Sequence, residues 1–209
     1  MSTQVRALVI AALAILNFSA TAVHAATVGN DAVERGRYDT FGNFGLALTD
    51  VVSPNDGTIT EWSVYTSRGD LALLLLRPTG TAGEYTLVDM DARIANPANN
   101  EPGVQTYASD ITVSTGDVLG LFLGTAKVSY ELDSRPNVCN GLDCDVLYTN
   151  NGGLLNLGTL LNTTIQFGGS TDRTYSLNAT ITPVPLPAAG LMLLTAIGGL
   201  TLVRRRAQN

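Results

Sequence analysis

Apolar and polar residues alternate one by one along several stretches of this chain, and no long stretch carries a helical period. In residues 88–94, Val88, Met90, Ala92 and Ile94 share one side, the inward one, while Asp89, Asp91 and Arg93 share the other. Tyr175, Leu177, Ala179 and Ile181 alternate in the same way with Ser176, Asn178, Thr180 and Thr182, and residues 127–132 direct Val128, Tyr130 and Leu132 inward. A period of two marks strands with one wet face, and hence antiparallel sheet. Residues 71–76 and 118–123 are almost wholly apolar, as strands covered on both faces are. The first of them ends at Arg77-Pro78, where a proline stops a ladder. Trp62, the only tryptophan, falls on the strand predicted over residues 58–66 and reads as a core anchor.

Turn signals separate these stretches: Pro54-Asn55-Asp56-Gly57, Arg68-Gly69-Asp70, Thr79-Gly80, Asn99-Asn100-Glu101-Pro102-Gly103, Ser114-Thr115-Gly116-Asp117 and Asn150-Asn151-Gly152-Gly153. Strands about every ten residues between such turns predict an all-β fold, an antiparallel β-sandwich or jelly-roll-like domain. Residues 31–50 contain aromatics but no clean period, and residues 151–161 suit either a loop or a short helix.

Both chain ends depart from this pattern. Arg6 and the α-amino group precede an apolar run over residues 7–18, and Val23 and Ala25 stand at −3 and −1 of a small-residue site. That layout predicts a secretory signal peptide cut between Ala25 and Ala26, with the Sec translocon and signal peptidase as partners. The run is short for a membrane span, which needs about 20 residues. At the other end, residues 186–203 carry no charge and Arg204, Arg205 and Arg206 follow at once. Such a stretch suffices for a transmembrane helix in a thin bilayer. The positive-inside rule holds the three arginines in the cytoplasm and the body outside it. Pro183, Pro185 and Pro187 break any strand and part the tail from the body. The predicted organisation is therefore a signal peptide over 1–25, one ectodomain over 26–182 and a tail over 183–209.

Charge narrows the candidate functions. All eighteen acidic residues fall in the body with only eight basic ones, a net charge of −10. Nucleic acid is not an expected partner of such a body, nor is an anionic membrane surface. The only histidine, His24, is lost with the signal peptide, so no Ser-His-Asp or Cys-His nucleophile and no histidine-ligated zinc site can form. Cys139 and Cys144 are the only cysteines and frame one short turn. In an exported protein such a pair implies a disulfide, contributing about 2 kcal/mol by loop entropy. A redox or metal-binding pair is the alternative, without the usual C-x-x-C spacing.

Val184-Pro185-Leu186-Pro187-Ala188, then an apolar stretch, then terminal arginines, resembles the VPLPA variant of the PEP-CTERM sorting signal over the last 26 residues. The resemblance implies that an exosortase, a membrane transpeptidase-like protease, is the processing partner. It further implies a final place on the surface or in the extracellular polysaccharide matrix of a Gram-negative bacterium. Leu186 stands where the better-known form has glutamate. Within the body, Gly57-Thr-Ile-Thr-Glu-Trp-Ser-Val-Tyr65, Leu75-Leu-Arg-Pro78, Tyr85-Thr-Leu-Val88 and Gly116-Asp-Val-Leu-Gly120 follow one another. That succession is similar to β-sandwich ectodomains of bacterial exported proteins.

Three functions are open on this reading. The first is a non-enzymatic surface or matrix protein, structural or bound to polysaccharide, with Tyr65, Tyr107 and Tyr148 as candidate sugar-stacking aromatics against ordinary packing. The second adds Ca²⁺, for which Asp89 and Asp91, and Asp143 and Asp145 around Cys144, are the oxygen donors on offer, although no D-x-[DN]-x-[DN]-G loop is present. No other cofactor is expected. The third is a histidine-free glycoside hydrolase working through two carboxylates. Glu61, Glu84, Glu101 and Glu131 show no catalytic spacing and read as solvated surface residues. The sequon-like Asn162-Thr-Thr and Asn178-Ala-Thr carry little meaning in a bacterial host.

Overall fold

The computed structural model describes residues 24–98, 101–132, 142, 144–149 and 157–184. Its strands are β1 (Ala26–Gly29), β2 (Arg37–Tyr38), β3 (Phe44–Val52), β4 (Gly57–Thr66), β5 (Gly69–Pro78), β6 (Glu84–Ala95) and β7 (Gly103–Val113). They continue with β8 (Val118–Leu123), β9 (Ser129–Leu132), β10 (Val146–Thr149), β11 (Thr164–Gln166), β12 (Gly169–Thr171), β13 (Arg173–Tyr175) and β14 (Leu177–Pro183). A single helical turn, α1 (Leu157–Leu160), sits where the sequence suits loop or helix. All of these elements belong to the compact unit Ala25–Pro183. The fold is nearly all-β and every strand pair is antiparallel.

Three sheets form. One has the order β1-β14-β4-β7, one β11-β6-β5-β8-β3-β10-β12, and a small one β13-β9-β2. The main core joins Ile59, Trp62 and Val64 of β4 and Leu177, Ala179 and Ile181 of β14 to Leu71, Leu73 and Leu75 of β5. Here period two does its work: each strand gives alternate residues to this shared interior. The small sheet contributes Tyr175 to the same core. Ser176 then turns the chain from β13 into β14, its N–H donating to the Ser129 carbonyl and its carbonyl accepting from Tyr65 N–H.

The even residues of β5 explain its unbroken hydrophobicity. Ala72, Leu74 and Leu76 face a second core with Phe122, Leu147, Ile165 and Phe167, against which Leu142 and Leu160 pack. The strand is thus covered on both faces, as is β8. Gly120 lies in β8 where a side-chain carbon would collide with the Leu46 carbonyl oxygen and the Leu76 side chain.

Two facing assignments from the sequence are corrected. In β6 the apolar residues of 88–94 do not form one inward row: Val88 packs against the main core and Met90 against the second, while Ala92 and Ile94 are exposed. The β5–β6 register shifts between Leu75 and Leu76, pairing Leu75 with Asp89 and Leu76 with Leu87, so Val88 is an extra residue. A bulge of this kind inverts the alternation beyond it. Asp89, Asp91 and Arg93 then pair with Leu75, Leu73 and Leu71 and share their face, while Ile94 is 74% exposed. In β9, Val128 just before the strand is buried, yet Leu132 is exposed because the strand ends there at the rim of a narrow sheet.

Ala26, the residue after the expected cleavage point, opens β1 and pairs with Ile181. Residues 1–23 and 185–209, holding the signal segment, four of the five motif positions, the apolar stretch and Arg204, Arg205 and Arg206, lie outside the described residues. Among the described residues no helix is long and apolar enough to cross a membrane.

Candidate functional site

At one edge of the seven-stranded sheet, a cleft of about 190 Å³ is lined by Phe41, Phe44, Tyr148, Ser170, Thr171 and Arg173. Its aromatic wall is built by strand pairing. Tyr148 of β10 lies opposite Leu46 of β3 on one side and Gly169 of β12 on the other. The Phe44 and Tyr148 ring centroids are 5.4 Å apart, and Phe41 extends the row at 6.2 Å from Phe44. Gly169 is needed for this arrangement, because a side-chain carbon there would run into the Tyr148 ring. Phe44 is buried, whereas Phe41 is 65% exposed and forms the open end.

The polar side of the cleft is held from below. Asp39 is 2% exposed. Its Oδ2 accepts from Arg173 Nη1 at 2.7 Å and from the Tyr175 hydroxyl at 2.6 Å, and its Oδ1 accepts from Phe41 N–H at 3.2 Å. The Arg173 guanidinium lies 4.4 Å from the Tyr130 ring centroid, an energetically useful cation–π distance. One carboxylate thus fixes both the aromatic end and the cationic end of the cleft. Burial acts against the Arg173 charge, but Tyr175 and Asp39 outweigh it and its pKa is raised.

Burial, followed by the Asp39 charge, also raises the Tyr175 pKa, and burial raises those of Tyr85 and Tyr107. An unfolded tyrosine ionises near its ordinary value of 10.0. Above that pH the unfolded chain releases protons that the native state retains, so stability present below it is lost as pH rises. The melting temperature is expected to be level from about pH 8 to 9.5 and to fall toward pH 11. The fall should be shallower in Tyr175→Phe, as followed by circular dichroism and tyrosinate absorbance.

A second, more open groove of about 560 Å³ involves Tyr38, Thr40, Ser67, Arg68, Thr125 and Lys127. Tyr38 packs against Tyr65, with centroids 6.4 Å apart, and its hydroxyl donates to Glu34.

Of the three tyrosines singled out from sequence, only Tyr148 lines the cleft. Tyr65 supports Tyr38, and Tyr107 lies against Trp62 at 4.7 Å with Arg93 above its ring. Phe41, Phe44 and Arg173 were not singled out; the one signal for them is the aromatic-flanked turn Phe41-Gly42-Asn43-Phe44, with Asn43 at φ 57°. Asp89 Oδ1 accepts from Met90 N–H at 2.8 Å, and Asp91 is ion-paired with Arg93 at 2.7 Å. Asp145 leads into β10, and Asp143 lies outside the described residues. Among the described residues no three His, Cys, Asp or Glu side chains gather as a metal site. Cys144 is disulfide-bonded, while Cys139, the only other cysteine, lies outside the described residues. Glu61 and Glu101 are exposed, Glu84 accepts from the Thr79 hydroxyl and Glu131 is ion-paired with Arg35. None of the five glutamates lines the cleft or the groove. Compared with protein-family models, curated proteins and solved structures, the chain matches none.

Proposed function

We propose that this chain is an exported, exosortase-sorted surface or extracellular-matrix protein whose β-sandwich ectodomain associates with polysaccharide without turning it over. The observation that carries the binding half is the cleft: a row of three aromatic rings faces Ser170, Thr171 and a guanidinium held by a buried carboxylate. Sugar rings present apolar faces and hydroxyl edges, and stacking against aromatics beside hydrogen-bonding groups suits both. Export, temporary anchoring in the inner membrane and removal of the tail rest on the two chain ends.

Titration calorimetry of the mature protein, purified in detergent, against oligosaccharides from its host's matrix tests the binding half. Phe41→Ala is expected to weaken binding about tenfold, the loss of about 1.4 kcal/mol of stacking. Gly169→Ala should do so at least as strongly by displacing Tyr148. Retained affinity in both variants, or sugar cleavage by the wild type, would sink the reading. Mass spectrometry of the same material tests the export half: the chain should begin at Ala26 and lack the arginines, and an intact end at Asn209 contradicts sorting.

A further inference from the structure

We infer that the cleft takes one terminal ring of a neutral glycan, its vicinal hydroxyls turned to Arg173, Thr171 and Tyr148, and does not grip the interior of a chain. The inference rests on the proposed polysaccharide binding and gives it a substrate class.

Size sets the number of rings. The cleft encloses about 190 Å³, below the ~300–1,000 Å³ of sites that hold drug-sized ligands. At roughly 30 Å³ per water that is room for about six waters, a space that one pyranose fills and two do not. The ends of the cleft differ as well. Phe44 is 6% exposed at the inner end and Phe41 65% exposed at the outer one. A side-chain carbon on Gly169 would lie 2.3 Å from the Tyr148 ring, so β12 runs flush against that ring and closes the floor. A chain can enter past Phe41 but has no second exit. The entrance is itself fixed, because Asp39 ties the ridge from Tyr38 to Phe41 to the small sheet through Phe41 N–H, Arg173 and Tyr175.

Polar groups with capacity to spare line the same small space. Arg173 directs Nη1 to Asp39 and to the Tyr175 hydroxyl, and its Nη2 has no hydrogen-bond partner among the described residues. The Thr171 and Tyr148 hydroxyls also have none among the described residues, and both residues line the cleft. A guanidinium nitrogen only donates, whereas hydroxyls donate and accept. Together they match a vicinal diol, in which each oxygen can do both, while the aromatic row covers the ring's apolar face.

Charge selects against an acidic sugar. Among the described residues Arg173 is the only charged one in the lining, and Asp39 matches it at 2.7 Å. The pair adds no net charge, while the body has eight basic residues against eighteen acidic ones. An anionic chain approaching the cleft is therefore repelled without local compensation. A neutral one is not.

The test uses fragments of the host's matrix polysaccharide, split into neutral and acidic pools by anion exchange and graded from one to about six sugars. Each is titrated into the mature protein in detergent. Affinity for the neutral pool is expected to stop rising by the second sugar, with one protein bound per chain end at every length. Acidic fragments should bind about tenfold more weakly at low ionic strength, a gap that added salt narrows. Thr171→Val and Tyr148→Phe each remove one hydroxyl and keep the shape. Each should weaken neutral binding about fivefold, as for one lost hydrogen bond, at an unchanged melting temperature. Affinity that climbs with every added sugar, or stoichiometry that grows with chain length, overturns terminal recognition while leaving polysaccharide binding intact. Equal or tighter binding of the acidic pool overturns the neutral class, and wild-type affinity in both variants overturns the assigned contacts. Failure of every fragment to bind overturns the polysaccharide reading itself.

Discussion

Replacing Asp39 by alanine is expected to destabilise the folded state by about 3 kcal/mol, measured by chemical denaturation, and to weaken ligand binding at the cleft. The magnitude follows from what is left behind. Asp39 has 2% of its side chain exposed and Arg173 21%, so the pair is largely dry but not sealed. Removing one member of a buried ion pair strands the other charge, at a cost of about 3–5 kcal/mol, and the partial exposure of Arg173 sets the lower end. The Tyr175 hydroxyl and Phe41 N–H lose an acceptor at the same time. Asp39→Asn keeps the shape and an acceptor but not the charge, and should fall between the wild type and alanine. The decisive comparison is the double variant Asp39→Ala/Arg173→Met, which should be more stable than Asp39→Ala alone because no unmatched cation remains. Additive losses would mean that the pair does not couple the ridge to the small sheet.

How much of this was legible in the sequence depends on strand length. β5, β8 and β14 are long enough to show either an unbroken apolar run or a period of two, and each lies where that pattern places it. Trp62 is buried as an anchor, as its strand implied. β6 is long as well, yet its facing came out inverted, because a single extra residue at Val88 reverses every position after it. Hydropathy alone does not reveal such an insertion. The candidate site was harder still. Its small sheet consists of strands of two to four residues, too short to display any period. Asp39 and Arg173 lie 134 positions apart and meet only because that sheet forms. Tyr148 was singled out as a candidate aromatic, but Phe41 and Phe44 sit in residues 31–50, which show no clean period. The same β6 inversion explains Asp89 and Asp91: they share a face, as spacing two implies, but it is the face turned toward the core.

That inversion makes Trp62→Ala the second large effect. Trp62 is 1% exposed in the main core, and truncating so large a side chain costs about 3–5 kcal/mol through lost burial and the cavity left behind. Its indole N–H also donates to Asp91 Oδ2 at 2.8 Å, so the ring packs against apolar neighbours while its polar edge serves the inward carboxylate. Arg93 holds the other side of Asp91 and lies 5.6 Å from the Tyr107 ring centroid. Trp62→Phe separates the two contributions: it retains much of the burial and deletes the donor. Because Arg93 still partners Asp91, that variant should lose only about 1.5–2 kcal/mol beyond the packing change, as for a hydrogen bond to a charged group. Asp91→Asn in the Trp62→Phe background then reports whether Asp91 acts through this bond. If the indole is its main interior partner, the second substitution costs less there than in the wild type, as read from denaturation midpoints. An equal cost in both backgrounds would show Asp91 to be held chiefly by Arg93, with the indole bond incidental to the strength of the core.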